Sequence, residues 1–181
     1  MSLDTGVAVS FRPIQPADRA ALQRFHSRNS DRTTFASFTF NQRSARGQAR
    51  SFTELDGMNR VALVALDPDQ PSEIIAVVRF DRLEGTSSAE FAVIVGDAWQ
   101  GHGLGTKLTQ RLINIARVRG LTSLVAYVLP ENARMVSLLH DLKVPETAHL
   151  DGYVEKFEID IAAGSVDELP DNETESCRSN T

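Results

Sequence analysis

The part of the sequence with the clearest chemical potential is the run QGHGLGT from Gln100 to Thr106, in which three glycines alternate with other residues. Glycine lets a ligand approach the main chain closely, and a loop that exposes backbone N–H groups ahead of a helix N-terminus favours phosphate. Apolar residues recur every three or four positions over residues 103–119, and Gly120 follows, so an amphipathic helix begins within this run. The pattern therefore indicates a binding site for a phosphate-bearing ligand.

Two common phosphate-binding patterns do not fit this run. A Walker A loop needs Gly-Lys-Ser/Thr, whereas Gly105 is followed by Thr106 and then Lys107, which is the reverse order. A dinucleotide fingerprint needs glycine where Thr106 stands and an acid about 20 residues further on, where Leu121 and its neighbours are apolar. Neither nucleotide-binding pattern is therefore favoured.

A second chemical feature is an acid in an otherwise apolar stretch shortly before the glycine run. Glu90 begins a predicted strand, and Ala92 and Ile94 follow it on the same face. A carboxylate among apolar neighbours tends to have a raised pKa, which suits a general base. The alternative for Glu90 is an exposed glutamate on an edge strand. The alternative base is Asp97, whose place just before the glycine run is more typical of a turn.

The elements that must position these residues follow from the spacing of apolar residues. Alternation, β-branched runs and turn residues predict strands over residues 7–13, 61–66, 73–80, 89–96, 121–129 and 153–161. Helical periodicity and start and stop signals predict helices over residues 16–28, 44–55, 103–119 and 131–142. Leu22 and Phe25 are expected on the buried side of the first helix. Residues 29–43, which contain three phenylalanines, fit either a loop that plugs the core or a broken helix. The order of elements is that of a mixed α/β domain.

The glycine run also carries a family resemblance. The spacing Gln-x-x-Gly-x-Gly, filled by Gln100, Gly103 and Gly105 after a strand that ends at Val95, resembles the acetyl-coenzyme A signature of the GNAT superfamily of N-acyltransferases. Residues 89–105 are particularly similar to the acyltransferase domain of bacterial protein lysine acetyltransferases, and the resemblance covers roughly residues 9–161. It implies the GNAT fold, of the α/β (α+β) class: a mixed, mostly antiparallel central sheet with helices on both faces, splayed between the fourth and fifth strands. It also implies acetyl-coenzyme A (acetyl-CoA) as the cosubstrate.

The resemblance assigns contacts to coenzyme A (CoA) position by position. Backbone amides of the glycine run would bind the pyrophosphate, and these residues are Gln100, Gly101, His102, Gly103, Leu104, Gly105 and Thr106. The main chain of Val93 and Val95 would pair with the pantetheine arm where the sheet splays. Asn132, in a segment similar to the family's second motif, would help to hold that arm. The alternative for Asn132 is an ordinary polar residue at a helix start.

Catalytic roles follow from the same resemblance. A strand glutamate at the place of Glu90 is the general base in the related protein lysine acetyltransferases, and a main-chain N–H of Val93 or its neighbour would meet the oxyanion. Many members carry a tyrosine acid and then a Gly-Phe pair after the second motif, but Leu139 and Lys143-Val144 stand at those places here. A thiol with a pKa of about 8.5 is a tolerable leaving group, so the reaction can proceed without a dedicated acid.

The predicted function is direct transfer of an acetyl group from acetyl-CoA to a primary amine, with a protein lysine as the favoured acceptor. A base is useful because deprotonating a lysine at pH 7 costs about 4.6 kcal/mol. The alternatives are a small amine or amino acid as acceptor, or a module that senses acyl-CoA without catalysis. Homodimers are common in the superfamily, so a homodimer is compatible with the resemblance.

Composition limits the other classes of function. The chain has 181 residues and a formal net charge of −5, which fits one domain over residues 1–161 and a disordered acidic tail over residues 162–181. The acidic balance argues against a nucleic-acid binder, although residues 12–60 are rich in arginine, which fits a solvated helical face or a surface for an acidic partner. We expect no metal, because the four histidines fit no ligand spacing and no cysteine accompanies them. With no signal peptide, no membrane span and a lone cysteine in the tail, a cytoplasmic location is expected.

Overall fold

Runs of β-branched and aliphatic residues form one mixed sheet in the computed structural model, which describes residues 1–29 and 55–162. The strands are β1 (Ser10–Pro13), β2 (Arg60–Leu66), β3 (Ile74–Arg82), β4 (Ser88–Val95), β5 (Ser123–Val128), β6 (Glu146–Asp151) and β7 (Val154–Asp160). The helices are α1 (Arg19–Arg28), α2 (Leu104–Val118) and α3 (Ala133–Asp141), with 3₁₀ turns at Pro16–Asp18 and Asp97–Trp99. The seven strands lie in the order β1-β2-β3-β4-β5-β7-β6. The predicted helix over residues 44–55, the alternatives for residues 30–43 and the tail beyond residue 162 lie outside the described residues.

The described helices cover both faces of the sheet, as predicted. Leu22 and Phe25 of α1 pack with Val64 and Ile74 on one face. On the other face α2 buries a row of leucines at helical spacing against Phe80, Phe91 and the inner residues of β5 and β7; the row is Leu104, Leu108 and Leu112. The layers therefore place the N-terminus of α2 beside the end of β4.

The one parallel pair in the sheet is the pair that positions the site. Neighbouring strands are antiparallel except β4 and β5, which run parallel. Their register covers only Ser88 to Glu90 against Ser123 to Val125. Beyond Glu90 the two strands separate, so among the described strands the main chain from Phe91 to Val95 pairs with β3 alone. The splay between the fourth and fifth strands is thereby confirmed.

Two details of the predicted strands were wrong. The first strand begins at Ser10, because residues 1–9 fold into a separate short hairpin in which Ser2 bridges Ala8. A strand was also missed between the last helix and the last predicted strand. This strand, β6, has the sequence ETAHLD, and its inner four residues are all exposed on the open edge of the sheet. An edge strand with no apolar alternation has no period-2 signal for sequence analysis to detect.

Lys143 shows why the family usually has glycine at this place. It is the second residue after α3 and has a φ of 53°, in the left-handed region that L side chains adopt at a cost of about 1–2 kcal/mol. Because Lys143 is exposed, we expect Lys143→Gly to raise the free energy of unfolding by about 1 kcal/mol in urea titrations. Lys143→Ala, which removes the same side chain but keeps the strain, is the control and should give no such gain. Equal effects of the two variants would contradict this explanation.

Asp18 links β1 to the start of α1 and should make stability depend on pH. Its carboxylate accepts hydrogen bonds from Arg12 at 2.6 and 2.7 Å and from the Gln15 N–H at 2.7 Å. The Arg12 bonds lower the pKa of Asp18 against the opposing effect of burial. A lowered pKa stabilises the fold above the unfolded value of about 3.9, and this contribution is lost as the pH falls through the folded value.

We therefore expect Asp18→Asn to lower the free energy of unfolding by about 2 kcal/mol at pH 7 and by much less at pH 2 to 3. Urea unfolding at the two pH values measures the difference. Asp69→Asn, in the exposed turn between β2 and β3, is the matched control and should have little effect at either pH. An Asp18→Asn deficit of the same size at both pH values would show that the ionised carboxylate is not the stabilising group.

Candidate active site

The glycine run forms the loop between β4 and α2 and takes its shape from two left-handed glycines. Gly101 has a φ of 78°, and Gly103, which directly precedes the helix, has a φ of 75°. Gly105 lies where α2 passes β4 and α3 closely: a Cβ atom there would be 2.8 Å from Leu138 Cδ1 and 3.2 Å from Val95 Cγ2. The alternating glycines therefore serve two purposes, a loop of special backbone conformation and close packing of the helix behind it.

A main cleft of about 690 Å³ opens where β4 separates from β5. One wall is β4 and the glycine loop, and the other is α3 with the first turn of α2. Its lining includes Asp4, Val93, Val95, Asp97, Gln100, Gly101, Gly103, Leu104, Gly105, Thr106, Lys107, Asn132, Arg134, Met135 and Leu138. Its size is within the range of pockets that bind cofactors, and its open end lies at the N-terminus of α2, where an anion is favoured.

The structure brings together nearly all of the predicted CoA-binding residues. Those that line the main cleft are Val93, Val95, Gln100, Gly101, Gly103, Leu104, Gly105, Thr106 and Asn132. His102 does not line the cleft; its backbone carbonyl instead accepts a hydrogen bond from the Asp4 N–H at 3.4 Å. Met135 and Leu138 of α3 pack against the core and also line the cleft.

The side chain of Gln100 connects three parts of the site through hydrogen bonds, which the motif alone did not predict. Its side-chain amide donates to the Val95 carbonyl at 2.8 Å and to Asp97 Oδ1 at 3.2 Å. Its Oε1 atom accepts a hydrogen bond from the Arg134 guanidinium of α3. The side chain thus ties the end of β4, the turn that follows and the opposite wall of the cleft to one another.

Asn132 caps α3 and also lies in the wall of the cleft. It directly precedes α3, and its Oδ1 atom accepts a hydrogen bond from the Met135 N–H at 3.2 Å, which is the usual helix cap. It also lines the main cleft and the small pocket described next. The cap therefore fixes the side chain in the wall that the two cavities share.

Glu90 lies in a small pocket at the closed end of the splay, called the apex pocket here. Besides Glu90, its lining consists of Phe91, Ala92, Val93, Ala126, Tyr127, Asn132 and Met135. Three of these residues, Val93, Asn132 and Met135, also line the main cleft, so the two cavities share a wall. Glu90 itself is 7% exposed and is the last residue of β4 that pairs with β5. It is therefore buried at the end of the cleft and is not an exposed edge-strand glutamate.

Charged residues surround Glu90 on its face of the sheet. Asp81 of β3 stands directly opposite Glu90 in the register. Asp81 pairs with Arg79 and, at 3.1 Å, with Arg60 of β2. Burial lowers the pKa of the Arg79 guanidinium, while the charges of Asp81 and Glu90 act in the opposite direction. The two arginines therefore offset the repulsion between facing carboxylates, which a sheet otherwise does not tolerate well.

The tyrosine that many relatives use as an acid has no equivalent on α3. Leu139 at that place is fully buried in the core. The Nδ1 atom of the neighbouring His140 contacts the Glu146 carboxylate of β6, and His140 does not line the cleft. The tyrosine nearest to Glu90 is Tyr127 of β5, which lines the apex pocket.

The cavity residues that the sequence analysis did not assign to the site include Asp4, Lys107, Tyr127 and Arg134. For Arg134 a signal was present, because it lies two residues after Asn132 in the second motif. Nothing local marks Asp4, whose contact with Lys107 spans 103 positions of sequence. Within the described ranges no group of three or more potential metal ligands is close enough to hold an ion. In the same part of the chain, no helix has the length and apolar character needed to cross a bilayer.

Known proteins share this architecture and parts of this sequence. The family model for the acetyltransferase (GNAT) domain matches residues 9–143. An acetyltransferase of Pseudomonas aeruginosa is 28% identical over 139 residues, which cover 76% of this chain and 75% of that protein.

Solved structures give the same result. The GNAT domain of S. lividans PAT has a TM-score of 0.75 at 28% identity, covering 88% of this chain and 94% of that one. The paiA N-acetyltransferase from Thermoplasma acidophilum, solved in complex with coenzyme A, shares the fold with a TM-score of 0.66 at 12% identity, covering 85% of this chain and 99% of that one. Because the family model spans the splayed strands as well as the glycine loop, the chain belongs to the GNAT family of acetyltransferases.

Proposed function

We propose that this enzyme transfers the acetyl group of acetyl-CoA to the side-chain amine of a protein lysine, directly in a ternary complex, with Glu90 as the general base. The observation that carries the proposal is the wall shared by the main cleft and the apex pocket, formed by Val93, Asn132 and Met135. A donor that lies along this wall has its reactive end near the buried Glu90 carboxylate. GNAT enzymes use acetyl-CoA, so the donor follows from the family.

The open end of the main cleft suits the phosphates of CoA. The left-handed glycines at 101 and 103 turn the loop into the N-terminus of α2, where backbone N–H groups and the helix dipole favour negative charge. The lining also contains apolar side chains, among them Val93, Val95 and Leu138. A cleft with backbone N–H groups and apolar side chains matches a ligand that has phosphates at one end and a thioester arm at the other.

Glu90 supplies the proton acceptor that the reaction needs. A lysine ammonium must lose a proton before its nitrogen can attack, at a cost of about 4.6 kcal/mol at pH 7. Glu90 takes that proton, directly or through a water molecule, and the neutral amine nitrogen then bonds to the thioester carbonyl carbon. As the carbon–sulfur bond breaks, the nitrogen loses its second proton to solvent and becomes the amide, and the thiolate takes a proton from solvent. A main-chain N–H near Val93, in the part of β4 that does not pair with β5, stabilises the negative charge on the carbonyl oxygen.

The lysine acceptor rests on the similarity of residues 89–105 to bacterial protein lysine acetyltransferases, and an acceptor panel tests it. Thiol release from acetyl-CoA would be measured with lysine-containing proteins and peptides, with polyamines and with free amino acids. We expect the highest kcat/KM with a lysine in a polypeptide. Turnover with small amines alone would reassign the acceptor, and CoA binding without thiol release for any acceptor would favour a sensor.

A further inference from the structure

The N-terminal hairpin brings an acidic side chain into the main cleft. The Leu3 N–H donates to the Val7 carbonyl at 2.9 Å, and the Val9 N–H donates to the Met1 carbonyl at 2.8 Å. The turn of this hairpin presents Asp4, whose N–H donates to the His102 carbonyl in the glycine loop at 3.4 Å. The N-terminal hairpin, about 100 positions away in sequence, is thereby hydrogen-bonded to the loop that binds the phosphates of CoA in the proposed function.

The carboxylate of Asp4 lies where an anionic ligand would be expected. Its Oδ1 atom accepts a hydrogen bond from Lys107 Nζ at 2.6 Å, and the same ammonium donates to the Ser2 carbonyl at 2.9 Å. Its Oδ2 atom would be 2.4 Å from a Cβ atom at Gly103, the residue that directly precedes α2. The carboxylate therefore rests against the N-terminus of α2, as a phosphate group would.

We propose that Lys107 binds a phosphate group of CoA and that Asp4 is an internal anion that competes for it. This inference rests on CoA binding in the main cleft, as proposed above. Both side chains line that cleft, and both reach solvent, since Asp4 is 65% and Lys107 is 35% exposed. An exposed ion pair is weak, so a phosphate, which has more charge and more acceptor oxygens than a carboxylate, can replace Asp4 at Lys107.

Competition of this kind lowers the affinity for CoA in two ways. Asp4 holds the Lys107 ammonium in an ion pair that must break, and its own negative charge repels the incoming phosphates. The effect depends on the ligand's charge, so it should be strong for CoA and absent for pantetheine, which has no phosphate. The N-terminal hairpin thus lowers the preference of the cleft for phosphorylated ligands, and Asp4 separates from Lys107 when one binds.

Calorimetric titration of the full chain with CoA, 3′-dephospho-CoA and pantetheine tests the proposal. We expect Asp4→Asn to tighten CoA binding about fivefold and Lys107→Gln to weaken it about tenfold. In the double variant, the gain in CoA affinity from Asp4→Asn should fall to about twofold or less, because the Lys107 ammonium for which Asp4 and the phosphate compete is absent. Pantetheine affinity should not change in any variant. The 3′-dephospho-CoA series shows which phosphate Lys107 holds.

The control variant is Glu84→Gln, which removes one negative charge from the exposed turn between β3 and β4, outside the cleft lining. It should leave CoA affinity unchanged. Raising the ionic strength should abolish the gain from Asp4→Asn, because exposed charges are screened. Unchanged or weaker CoA binding by Asp4→Asn would overturn the proposal, as would a full fivefold gain in the Lys107→Gln background. Failure of the wild-type chain to bind CoA at all would instead refute the proposed function.

Discussion

Glu90→Gln is expected to lower kcat/KM for the amine acceptor by about 10²-fold to 10³-fold, because glutamine fills the same space but cannot accept the proton from the ammonium. The dissociation constant for CoA should stay within about twofold of the wild-type value, since Glu90 lies in the apex pocket and not in the lining of the main cleft. Thermal stability should not fall. Asp81 faces Glu90 in the register, so the substitution removes a like-charge contact, which offsets the lost attraction between Glu90 and Arg79.

The pH profile separates loss of the base from general damage. If Glu90 is the base, kcat/KM of the wild-type chain should fall at low pH as the base becomes protonated, and this decrease should flatten in Glu90→Gln. Asp97→Asn is the matched control, because Asp97 is an acid of the same strand–loop unit, is exposed and accepts a hydrogen bond from Gln100. It should cost only a few-fold in activity. A large loss in Asp97→Asn with little loss in Glu90→Gln would move the base to Asp97.

Gly101→Val is expected to weaken CoA binding at least tenfold and to reduce activity at limiting acetyl-CoA accordingly. A β-branched residue at a φ of 78° is a steric outlier, so the loop must change its backbone conformation and reorient the N–H groups that face the phosphates. A Cβ atom at Gly101 would contact nothing within 4 Å. The effect therefore comes from the backbone and not from a blocked cavity.

The chain offers a close control at the other end of the same helix. Gly120 follows α2 with a φ of 75°, and a Cβ atom there would also contact nothing within 4 Å. Gly120→Val and Gly101→Val should both lower the free energy of unfolding by about 1–2 kcal/mol, the cost of the left-handed conformation. Only Gly101→Val should change CoA affinity in calorimetric titrations. Equal CoA affinities in the two variants would mean that the loop does not bind the phosphates.

The parts of the fold that sequence analysis predicted are those with a strong local period. The helix α2 repeats leucines at helical spacing and is followed by glycine, and β2, β3 and β4 are apolar runs between turn residues, so their bounds agree within two residues. The edge strand β6 is polar and exposed, and its pairing with β7 is a tertiary fact with no local sign. The left-handed Lys143 was visible only as a departure from the glycine that relatives carry.

The candidate site likewise contains some residues that local motifs identify and others that only the complete fold brings into the cavities. The glycine loop, Glu90 and Asn132 stand in compact motifs, so their residue types and spacing were enough to locate them. Tyr127 and Arg134 enter the cavities because β4 and β5 separate and α3 turns back against the loop. The contact between Asp4 and Lys107 depends on the N-terminal hairpin, which pairs residues far apart in sequence. Such long-range contacts follow from the complete fold and not from any local pattern.

Mass spectrometry of a lysine-containing polypeptide incubated with the wild-type chain and acetyl-CoA tests the central claim most directly. Acetyl transfer at the apex of the splayed strands predicts acetylated lysine in amounts equal to the CoA thiol released, and at least a hundredfold slower formation with Glu90→Gln. Equal rates of acetylation with wild type and Glu90→Gln, or thiol release without any acetylated amine, would contradict the account.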